Sequence, residues 1–135
     1  MILAAWLFGV GGVVLAGIGI FFILARPALL PEDLLFLQQH ADDIDAAVPR
    51  LRRWLRLVFV VLGGHATAGG ILTVFLAATS VRHNDVAAVV ALGVAGSVSV
   101  GLMTGVNFAL KSDFRWMLFG VSGIWLAGTL AATLA

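Results

Sequence analysis

A chain of 135 residues with 61% hydrophobic and only 11% charged side chains, and a mean hydropathy of +1.10, lies far from water-soluble domains, in which about a quarter of residues are charged. The length allows one domain and no separate soluble module. The net charge of +1 comes with no nucleic-acid-type basic patch, and the absence of cysteine excludes disulfides, thiolate nucleophiles, iron–sulfur ligation and Cys-type zinc sites.

The first apolar run, Ile2–Ala25, has no basic leader and exceeds the ~7–15 residues of a cleaved signal core, so it reads as a retained first span. Leu57–Val81, Val86–Leu110 and Trp116–Ala135 also approach the ~20 residues that cross ~30 Å of hydrocarbon. None alternates with period two, which leaves helices rather than barrel strands. The expected fold is an all-α membrane protein, a four-helix transmembrane bundle forming one domain over residues 1–135. Pro49 suits the first turn of the second helix. Asn84 or Asp85 suits the cap of the third, and Ser112 or Asp113 that of the fourth.

The connection over residues 26–56 is the one long polar segment, with five of the eight basic and five of the seven acidic residues. Pro31-Glu32-Asp33 reads as a helix start, with acids at the positive end of the dipole. Leu34, Leu35, Phe36 and Leu37 follow, too apolar for a solvated loop, and predict a short interfacial amphipathic helix. Asp42, Asp43 and Asp45 form an acidic turn. Arg50, Arg52, Arg53, Trp54 and Arg56 are the expected membrane-surface anchors at the foot of the second helix, arginine reaching headgroups and tryptophan the interface. The first and third connections hold seven Lys and Arg residues and the second only Arg82. That bias places connections one and three in the cytoplasm and both termini outside.

Within the spans, small residues recur every four positions at Gly93, Ser97, Gly101 and Gly105, the small-xxx-small pattern that lets helix backbones approach closely. The partner is a helix of this chain or of another; the other reading of the stripe is the lining of a narrow permeation path. Gly63 and Gly64 offer a similar surface, as do Gly9, Gly12, Ala16 and Gly17, and Gly120, Gly123 and Gly128. His65 lies roughly 13 Å beyond Arg56, nine residues at ~1.5 Å each. It is the one ionisable group in a span, and such groups mark function by default. The plainest role is a neutral imidazole hydrogen-bonded to a neighbouring helix, with Asn107 among the partners. The others are a proton or substrate path and ligation of a haem or other cofactor, for which a second histidine would have to come from a dimer or another subunit. Asn107 itself reads as a buried amide joining helices. His40 with Asp42, Asp43 and Asp45 matches no standard metal loop, so no metal is expected. No span carries a carboxylate, no nucleophile–base pair and no nucleotide fingerprint occur, and enzyme activity is not expected.

The runs ARPALLPEDLLFL, PRLRRWLRLVFVVLGG and AGGILTVFLAAT, from the end of the first helix through the second, resemble a group of uncharacterised small four-span bacterial integral membrane proteins. The marks are Pro31–Asp33, the Arg/Trp foot at Arg50–Arg56 and the glycine pair Gly63–Gly64. The resemblance implies the architecture and a bacterial inner membrane; it brings no catalytic residues. The expected function is a small integral subunit that packs against other membrane proteins or itself, with the lipid bilayer as its surroundings and no nucleic acid or cofactor. Alternatives are a homo-oligomeric channel or transporter using His65 and Asn107, and a haem- or quinone-associated electron-transfer accessory.

Overall fold

A computed structural model describes all 135 residues, and the chain is helical throughout. The elements are α1 (Ile2–Leu24), α2 (Pro31–Leu37), α3 (Ala41–Ala47), α4 (Leu51–Ala78), a 3₁₀ turn (Val81–His83), α5 (Val86–Gly96), a π-helical turn (Ser97–Gly101), α6 (Leu102–Ala109) and α7 (Arg115–Thr133). α5, the π turn and α6 run on as one rod, Val86–Ala109. With α1, α4 and α7 it makes four helices long and apolar enough to cross a membrane.

Local chemistry sets most boundaries. Asp85 caps α5, accepting from the backbone N–H of Ala87 at 2.9 Å and Ala88 at 3.3 Å. Ser112 accepts from the Phe114 N–H just ahead of α7. Pro31 opens α2, and the Asp33 carboxylate reaches back to the Leu30 N–H at 2.9 Å. Pro49 is not inside the second long helix: α4 starts at Leu51, whose N–H donates to Val48 O. Pro49 therefore occupies the second position of a β-turn, where its fixed φ is favoured. The expected acidic turn is instead a helix, α3, with Asp42 and Asp43 in its first turn and Ile44 buried. Acids at that end are stabilised by the helix dipole.

α1 holds the middle of the molecule. It packs on α4 on one side and α7 on the other, and α7 in turn holds the third long helix. The α1–α4 contact is backbone on backbone. A Cβ added at Gly70 would sit 2.5 Å from Gly12 O, and one at Gly63 2.6 Å from Gly19 O. Both pairs advance by seven residues in an antiparallel register, the step of a shallow left-handed crossing of about 20°. One further heptad brings Arg56 to the end of α1, where its guanidinium donates to Arg26 O at 2.8 Å, Ile23 O at 2.9 Å and Leu24 O at 3.1 Å.

The α7 contacts rest on Trp125 and hydroxyls. The Trp125 indole is buried, stands edge-on to Phe8 at 6.2 Å, and donates from Nε1 to Leu92 O at 2.7 Å. Gly96 lies directly under the ring and leaves no room for a Cβ. The π turn begins at the next residue, as expected where a side chain wedges into the helical ladder. Below it, the Thr104 hydroxyl donates to Val100 O at 2.8 Å and accepts from the Ser122 hydroxyl at 2.8 Å.

Candidate functional site

The small-residue stripe of the third long helix falls beside α7. Gly93 faces Thr129, whose side chain would lie 3.3 Å from an added Cβ. Beyond that point the stripe has no partner in the chain. Ser97 is exposed, the nearest atom to a Cβ at Gly101 is the carbonyl of Gly96 at 3.8 Å, and Gly105 meets nothing within 4 Å. Gly93, Ser97 and Gly101 line one wall of an open trough of about 660 Å³, and Ser122, Leu126 and Thr129 of α7 line the other. Its hydroxyls are satisfied locally: Ser97 donates to Gly93 O at 2.9 Å and Thr129 to Trp125 O at 3.1 Å. The trough therefore combines glycines and self-satisfied hydroxyls with valine, leucine and tryptophan side chains, and carries no charge.

Gly63 is packed against α1, whereas its neighbour Gly64 meets nothing within 4 Å. The tight α1–α4 contact thus uses Gly12, Gly19, Gly63 and Gly70. A Cβ added at Gly9, Gly17, Gly120 or Gly123 would meet nothing within 4 Å, and one at Gly128 would lie 3.4 Å from Phe8. Trp125 is the residue that sequence reasoning missed. The other three tryptophans, Trp6, Trp54 and Trp116, are 71%, 59% and 63% exposed and lie near helix ends, while Trp125 is 4% exposed and in mid-helix. A tryptophan far from the aromatic belts was the available signal.

His65 is on the outward face of α4, not between helices. Its Nδ1 lies 2.8 Å from Val61 O one turn back, in an exposed setting. Asn107, half-buried on α6, likewise bonds its own helix, donating from Nδ2 to Met103 O at 2.8 Å. Neither joins two helices, and α4 and α6 form no packed interface that would bring them together. His40, Asp42, Asp43 and Asp45 do not converge into a metal-binding group.

The charged end is cross-tied. Arg52 pairs with Asp45 at 2.6 Å, and Ser112 donates to Glu32 at 2.8 Å, linking α2 to the turn before α7. Arg26 stacks over the Phe59 ring at 3.5 Å and lies 3.8 Å from Asp33. Burial lowers the Arg26 pKa from its ordinary value, and the charges of Asp33 and Glu32 raise it in opposition. Arg56 caps α1, as described above. Of the five expected anchors, Arg50, Arg53 and Trp54 remain exposed, the two arginines without an acidic partner. No protein-family model, no curated protein and no solved structure matches the chain.

Proposed function

We propose that this chain is a small multi-pass subunit of the bacterial inner membrane that packs against other integral membrane proteins, with both termini outside and the α2–α3 connection and the turn before α7 in the cytoplasm. α2 then lies at the membrane surface: Leu35 and Phe36 are exposed on a helix whose first turn is tied to Arg26 and Ser112, an arrangement suited to an apolar face dipping among headgroups. The observation that carries the reading is the trough beside α7. The chain folds without filling it, and its glycine and hydroxyl walls suit a close-packed helix.

Purification from native membranes in mild detergent tests this directly. A particle with stoichiometric foreign polypeptides is expected, and Gly101→Leu, which has open space on its own chain, is expected to reduce their retention about tenfold or more, the equivalent of ~1.4 kcal/mol. A particle made only of 14.1 kDa chains would overturn it.

A further inference from the structure

The outward face of α4 carries two features that its own chain does not use. At its foot Arg50 and Arg53 are exposed and unpaired. Nine residues beyond Arg56, roughly 13 Å along the helix, stands His65. The carbonyl of Val61 can only accept a hydrogen bond, so the Nδ1 that contacts it carries the ring proton. In the neutral imidazole the lone pair is then on Nε2, directed away from the helix. Trp54, Leu57, Val61, Ala68, Leu72 and Phe75 continue the same exposed face at helical spacing.

We infer that this face docks a transmembrane helix of a different protein, one with a hydrogen-bond donor opposite His65 and acidic residues level with Arg50 and Arg53. The inference rests on the membrane-subunit reading above and adds a second surface and the partner's chemistry. An acceptor left facing hydrocarbon lacks the hydrogen bond that water would supply, so its occupant must bring the donor. A second copy is a poor occupant. A symmetric contact would set Arg50 and Arg53 against their own copies and lone pair against lone pair, and like charges in register oppose association. Nor does the face that a symmetric contact would use carry a spare donor level with His65: the neighbouring Thr67 and Thr73 hydroxyls already donate to Gly63 O and Gly69 O.

The test is photo-cross-linking in native membranes, with benzoylphenylalanine introduced at the outward position of Ala68. The expected product is an adduct with a foreign polypeptide. Its mapped peptide should contain Ser, Thr, Tyr, Trp, Lys or Arg within a turn of the cross-link and Asp or Glu toward its cytoplasmic end. His65→Phe should lower the adduct yield roughly 3- to 20-fold, the range for an interhelical hydrogen bond in a membrane, and His65→Gln, which keeps an acceptor, should restore much of it. An adduct of twice the chain mass, adducts with lipid alone, or a foreign adduct indifferent to His65→Phe would each overturn the inference. Where foreign subunits still co-purify through the trough, such a result removes only this surface. Their absence from the purified particle removes the subunit reading as well.

Discussion

Arg56 donates to three carbonyls at the end of α1, a terminus whose last C=O groups have no acceptor role within the helix. The charge also opposes the negative end of the helix dipole, a contribution of up to about 2 kcal/mol in partly buried geometry. Arg56→Ala is therefore expected to lower the unfolding free energy of the purified chain by about 1–2 kcal/mol, read by thermal or denaturant unfolding in detergent. An unchanged midpoint would show that water caps the helix equally well. By residue type, Arg52, Arg53 and Arg56 are interchangeable in the sequence, and all three read as surface anchors. What separates them is phase: Arg56 precedes Gly63 by seven residues and falls on the edge of α4 that meets α1. That distinction becomes visible only once the glycine register is known.

At the scale of the helix, Gly63 and Gly64 give the sharpest contrast. A Cβ on Gly63 would meet Gly19 O at 2.6 Å and Ile23 Cγ1 at 2.8 Å, whereas one on Gly64 meets nothing. Gly63→Val is expected to destabilise the α1–α4 contact by about 1–3 kcal/mol, the usual consequence of forcing atoms into a packed site. Gly64→Val should leave the isolated chain's stability nearly unchanged, and equal losses in the two variants would refute the register. The four long helices are legible in the sequence because uninterrupted apolar runs of that length have few other solutions. Their pairing is less so. The conspicuous four-residue repeat of Gly93, Ser97, Gly101 and Gly105 lies largely unfilled, while the internal contact uses a seven-residue repeat split between α1 and α4. Neither half stands out among 16 glycines. The same dilution hides the π turn, whose cause is a tryptophan nearly thirty residues further along the chain.

For the molecule as a whole, two kinds of adhesion divide the structure. Along their length α1 and α4 are joined by shape, through touching backbones, with hydrogen bonds only at the Arg56 end. The third long helix is joined to α7 by hydrogen bonds, through the Trp125 indole on Leu92 O and the Thr104–Ser122 pair. Trp125→Ala is expected to loosen that second half selectively. Hydrogen exchange in detergent should quicken across Val86–Ala109 by about 100-fold or more, in line with the ~3–5 kcal/mol lost on truncating a buried tryptophan. Exchange at Gly63 and Gly70 should change little; equal acceleration there would mean that the four helices open as one unit. The position of Trp125 in the last helix also bears on biogenesis. Helices α1 and α4 leave the ribosome with everything they need to find each other. The third helix emerges with its widened turn unsupported and stays unlocked until α7 has been made. The chain's vulnerable interval to quality-control proteases therefore falls between the making of its third long helix and of α7, and a partner that engages the exposed face of that helix meanwhile would shelter it.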